Sequence, residues 1–225
     1  MSKLSAPTTK LSLLFFTLLA VAATPARAAG LFKLAASGTI SANTSGDSTT
    51  IPIGMPWMFE LIYDTAAPDL SPDDPTFGNF ANTDTPPALT FFHYQAGSYE
   101  VTLDDPGDFG IGSGIHITFT VGHAIDINVN APDLFPPLAG GPVSFHADFN
   151  AFSTAPIFSS DGLPTNTALG PASFDQSTVS LLPPNAEVSG RSLTSLTITA
   201  VPEPGSGLLV IAGLLGLAGW RRVGA

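Results

Sequence analysis

The chain has 225 residues, 44% of them apolar, only 11% charged, no cysteine, and a net charge of −11. That apolar content excludes a chain held open by its own charge. The acidic balance excludes a nucleic-acid partner, because binding phosphates needs clustered Lys and Arg, and between residues 29 and 202 only Lys33 and Arg191 stand against seventeen acids, a net charge of −15.

The N-terminus has the three parts of a secretory signal. Lys3 and Lys10 give a basic start, and LSLLFFTLLAVAA (11–23) is an uncharged apolar run. Pro25 breaks the run, and Ala26-Arg27-Ala28 offers the small residues that a signal peptidase reads. The run is too short for a permanent anchor, since a spanning helix needs about 20 apolar residues. The expectation is a signal peptide over residues 1–28, cut after Ala28, and an exported body. Without cysteine, that body must be held by its core and by any ions it binds.

From residue 29 onward the hydrophobic period is two. In IHITFTV (115–121), Ile115, Ile117, Phe119 and Val121 share one face and His116, Thr118 and Thr120 the other. AIDINVN (124–130) and VSFHADF (143–149) alternate in the same way. Strict alternation marks half-buried strands of antiparallel sheets. Further strands are expected at 31–41, 57–63, 89–95, 99–103, 174–181 and 193–200, separated by Gly-, Pro- and Asp-rich spacers at 68–75, 104–114 and 131–142. No long helical pattern and no fixed-period repeat occurs in the body. The fold class expected for residues 29–200 is all-β, an antiparallel β-sandwich of jelly-roll-like type.

The catalytic signatures that a sequence can show are missing: there is no GxSxG elbow, HExxH, GxGxxG or Walker loop, and no cysteine nucleophile. The reading is therefore non-enzymatic, with no catalytic residue assigned. His93, His116, His123 and His146 lack short metal-ligand spacing. His146 and Asp148 share a strand face, as a base and its orienting acid would, and as a plain solvated face also does. Acids crowd two loops, Asp69, Asp73 and Asp74 in one and Asp104, Asp105 and Asp108 in the other, while Asp126, Asn128 and Asn130 put three oxygens on one strand face. Calcium takes hard oxygen ligands of this kind, so Asp104, Asp105, Asp108, Asp126, Asn128 and Asn130 are the candidate metal ligands. Asp and Asn are equally at home in ordinary turns, and the string lacks the glycine and distant glutamate of an EF-hand loop. Trp57 and the three tyrosines are the residues that would form a sugar platform. Phe dominates the aromatics, and most of the Phe are expected in the core.

The C-terminus reads VPEPGSGLLVIAGLLGLAGWRRVGA over residues 201–225. Pro202 and Pro204 hold the backbone extended and remove two amide donors, so the segment joins neither a strand nor a helix. Residues 207–220 are uncharged and free of proline. As a helix they would reach about 21 Å against a hydrocarbon core of about 30 Å. Trp220 suits the interface, and Arg221-Arg222 suits the cytoplasmic side, leaving the body outside. Pro202-Glu203-Pro204, the short apolar segment and the Arg221-Arg222 end together resemble the PEP-CTERM protein-sorting signal of Gram-negative bacteria. The resemblance covers residues 201–225 and implies recognition by a membrane-embedded exosortase, cutting near the Pro-Glu-Pro, and removal of the hydrophobic tail. It implies delivery to the cell envelope or the exopolysaccharide matrix, with signal peptidase and exosortase as processing partners and exopolysaccharide as the associated material. The competing reading of the body is a secreted polysaccharide-active hydrolase or a calcium-dependent carbohydrate-binding module.

Overall fold

In a computed structural model the described residues are 30–202, apart from 47, 119–121, 132, 139–140, 152–156, 159–161 and 184–185. They form twelve strands: β1 (Leu31–Thr39), β2 (Ala42–Asn43), β3 (Pro56–Asp64), β4 (Phe77–Ala81), β5 (Leu89–Ala96), β6 (Tyr99–Leu103), β7 (Gly114–Thr118), β8 (His123–Asn130), β9 (Ser144–Ala151), β10 (Gln176–Leu182), β11 (Val188–Gly190) and β12 (Ser192–Ala200). Every pairing is antiparallel. One sheet has five strands in the order β12-β1-β3-β5-β6, the other seven in the order β2-β11-β10-β9-β8-β7-β4. The fold is an all-β sandwich.

The alternation read from the sequence sets which face each strand buries. Ile115, Ile117, Ile125, Ile127, Phe145 and Phe149 point inward from the seven-stranded sheet, and Trp57, Phe59, Leu61, Phe92 and Tyr94 meet them from the five-stranded one. Phe145 is the hub of this interior, with its ring 5.1 Å from Phe59, 4.7 Å from Phe92 and 5.5 Å from Tyr94. Edge-to-face and tilted pairs of this kind add to the area they bury. Phe135, from the loop after β8, is buried with its ring 6.1 Å from that of Phe92.

Two glycines fix the frame. Gly97 has φ +62° in the two-residue β5–β6 turn, the positive value that such hairpins need. Gly190 ends β11 against the indole of Trp57; a Cβ there would lie 2.1 Å from Trp57 Nε1 and 2.8 Å from the Thr39 carbonyl oxygen. At this corner the ribbon of β1 and β12 in one sheet passes into the ribbon of β2 and β11 in the other. The exposed edge of β4 is shielded by the loop before it: Leu70 N–H donates to Asn79 O (2.8 Å) and Asn79 N–H to Asp69 Oδ1 (2.8 Å). Covering an edge in this way removes a template for unwanted pairing.

Three short strands escape the sequence pattern, β2, β4 and β11. Each has two to five residues, too few for alternation to register, and β4 and β11 contain glycine. The expected strand at 115–121 is described only as far as Thr118. The expected signal peptide, residues 1–28, and the chain beyond Pro202 lie outside the described residues. No helix of the described residues is long and apolar enough to cross a membrane.

Candidate functional site

The outward positions of β7, β8, β9 and β10 form a half-buried polar face. Register lines its residues up in rows across the sheet. One row runs Asn79, His116, Asp126, Asp148, Thr178; the next holds Gly114, Asn128, His146, Ser180. Asp126 stands between two imidazoles, its Oδ1 3.4 Å from His146 Nδ1 and its Oδ2 3.9 Å from His116 Nδ1. Asn128 links the group: its Nδ2 donates to Asp126 Oδ1 (3.2 Å), and its Oδ1 lies 2.9 Å from His146 Nδ1. A carbonyl oxygen only accepts, so in that contact the His146 Nδ1 is the donor. Phe77 stacks on His116 with ring centroids 5.7 Å apart.

This arrangement is a hydrogen-bonding surface, with no nucleophile beside its histidines among the described residues. Ser180, opposite His146 in register, is buried and donates to Glu187 Oε1 at 3.0 Å. Asp126 and Asp148 lie directly opposite each other on neighbouring strands, a like-charge placement that costs stability. They sit on the outer face of one sheet, not between the layers. Sequence spacing hid this group because its members come from three strands; shared outward parity on β7, β8 and β9 was the available signal.

The candidate calcium ligands are divided between the loop and the face. Asp105 caps the short 3-10 turn Pro106–Asp108, accepting from Gly107 N–H (2.8 Å), while its own N–H donates to Asp108 Oδ2 (3.4 Å). Asp104 is exposed in the same loop. Asn130 belongs to both regions, since its Nδ2 donates to Ile111 O (2.8 Å) and its backbone carbonyl accepts from Gly110 N–H (2.6 Å). The loop at 68–75 is likewise organised by its own chain. Asp69 accepts from Ser71 N–H, and Asp74 from the N–H and hydroxyl of Thr76, bonds that hold the Asp74 carboxyl below its usual range. Among the described residues no group of three His, Asp or Glu side chains is arranged to hold a metal ion. Local turn bonds organise both loops.

Trp57 and the tyrosines are core residues: Trp57 is 2% exposed and Tyr63, Tyr94 and Tyr99 are 0%, 1% and 3%. None of them can serve as a sugar platform. Burial pushes all three phenols well above their ordinary pKa, with a further contribution to Tyr94 from neighbouring Tyr99. The Tyr63 hydroxyl donates to Pro164 O and that of Tyr99 to Pro136 O, so each pins a loop to the core.

At the C-terminal side, β12 ends at Ala200 and the N–H of the next residue, Val201, donates to Leu31 O (2.8 Å). Pro202 follows immediately and is exposed. Glu203, Pro204, Arg221, Arg222, and Ala26 and Ala28 at the other end, lie outside the described residues. In comparisons with known proteins, no family model, curated protein or solved structure matches this chain.

Proposed function

We propose that the protein is an exported, non-enzymatic envelope or matrix protein, delivered by its N-terminal signal and sorted by its PEP-CTERM-like tail. The supporting observation is the last backbone pairing of the described chain. The β1–β12 ladder closes at Val201, and the next residue is the exposed first proline of the Pro-Glu-Pro. A processing enzyme needs extended, unpaired chain, and two prolines in three residues withhold the donors that would pair it. Replacing Pro202, Glu203 and Pro204 together by alanine, with the protein followed by fractionation of its native host, tests the reading. The variant accumulates uncut in the membrane fraction while the native chain leaves it; equal release of both contradicts the proposal.

Association with neutral exopolysaccharide is the second part of this reading. It rests on the polar face around His116, Asp126, Asn128 and His146, whose amides, imidazoles and carboxylates match hydroxyl groups. The strongly acidic body disfavours an anionic glycan. The opposed pair Asp126 and Asp148 favours the runner-up, a hydrolase, and Asp148→Asn separates the two. Loss of polysaccharide turnover with binding retained selects the hydrolase; no turnover in the native protein removes it.

A further inference from the structure

Both ends of the folded domain leave it at one place. At the N-terminal side, Gly30 is clamped by Thr65: Gly30 N–H donates to Thr65 Oγ1 (3.1 Å), while Gly30 O accepts from Thr65 Oγ1 (3.1 Å) and Thr65 N–H (3.2 Å). At the C-terminal side, Val201 is bonded to Leu31, the residue after Gly30, and Ala200 pairs with Phe32. The two exits therefore lie on adjacent strands, about 4.8 Å apart. The expected signal-peptidase cut after Ala28 falls just before one clamp, and the Pro-Glu-Pro starts just after the other.

We propose that this end of the five-stranded sheet is the membrane-facing pole of the precursor, and that the domain completes its β1–β12 ladder while both chain ends are still held by the bilayer. The inference rests on the sorting reading above. Basic residues flank both apolar segments on their far sides, Lys3 and Lys10 before the first and Arg221-Arg222 after the second. The positive-inside rule then puts both outer ends in the cytoplasm and the body across the membrane as one loop. Neighbouring exits let that loop fold without dragging either segment. Residues 202–206 are the whole tether before the apolar run at 207. Five residues reach at most about 18 Å, which leaves the domain little freedom to turn over. The pole carries Asp64, Thr65, Ala66, Asp104 and Asp105. Its acids repel an anionic headgroup surface, so the tether, not adhesion, sets the orientation. The opposite pole, with the β5–β6 turn at Gly97-Ser98, then points away from the bilayer.

The absence of cysteine makes the test direct. Ala66 and Ser98 are both exposed, one beside the Gly30 clamp and one in the β5–β6 turn. The nine residues of β3 run between these ends and span about 27 Å. Full-length Ala66→Cys and Ser98→Cys variants are labelled with a fluorophore and reconstituted into phosphatidylethanolamine–phosphatidylglycerol vesicles carrying a headgroup quencher. The expected result is flotation of both proteins with the vesicles, and quenching at position 66 severalfold greater than at position 98. Flotation with equal quenching, or with more at position 98, overturns the membrane-facing pole and leaves the sorting reading standing. Failure of the full-length chain to float overturns both.

Discussion

The two faces of β7, β8 and β9 share one backbone and have opposite chemistry. The inward face is continuous hydrocarbon, with Ile115, Ile117, Ile125, Ile127, Phe145 and Phe149 all essentially inaccessible. The outward face, one residue out of step, holds His116, Asp126, Asn128, His146 and Asp148. Burial explains the first face completely. It does not explain the second, because a merely solvated face has no need for a carboxylate between two imidazoles or for two aspartates set opposite each other. Stability is concentrated inside; the outer face is where the proposed recognition of a glycan would take place.

Truncation at the hub of the interior tests the first half of this contrast hardest. Phe145→Ala removes a ring packed against Phe59, Phe92 and Tyr94 and costs about 3–5 kcal/mol, read as a lowered denaturant midpoint. Alkali attacks the same interior through its phenols. Burial favours the neutral form, so the folded-state pKa of Tyr63 and Tyr94 lies above the unfolded value. Their contribution is intact below about pH 10 and is lost as pH rises from there toward the folded value. The expected slope is about 1.4 kcal/mol per pH unit for each buried tyrosine, measured as stability against pH by denaturant titration.

Smaller effects sharpen the contrast. Gly190→Ala drives a methyl group into Trp57 and the Thr39 carbonyl and costs about 1–3 kcal/mol, with the near-ultraviolet signal of Trp57 altered. On the outer face the expectation reverses. His146→Ala and Asp126→Asn change stability by only about 0.5 kcal/mol, while retention on the host's neutral exopolysaccharide, measured by co-sedimentation, is lost. Asp148→Asn relieves the repulsion from Asp126 and raises the melting temperature slightly.

The parts legible in the sequence were those governed by local rules. In AIDINVN each second residue is apolar, and β8 buries Ile125, Ile127 and Val129 as that pattern requires. The strand FGNFA gave no such signal: its inward positions are Gly78 and Phe80, and its outward Phe77 is held by stacking on His116. The three residues of β11 are a strand because they pair with β10 and with β2, which lies more than a hundred positions away in the sequence. The same limit applies to the candidate site. Pairing His116 with Asp126 and Asp126 with Asp148 depends on strand order and register, which period-two patterning leaves open. Composition also leaves open what the acidic loops do: Asp69, Asp74 and Asp105 each accept a backbone N–H two residues on, a local bond that a count of acids does not reveal.

The central claim is that the tail directs delivery and is then removed, leaving a folded acidic sandwich outside the cell membrane. Intact-mass analysis of the protein from its native host, taken separately from membrane and extracellular fractions, tests it most directly. The account predicts an extracellular or envelope species that starts after Ala28 and ends near Pro204. A single species that retains residues 205–225 and stays in the membrane fraction would contradict it.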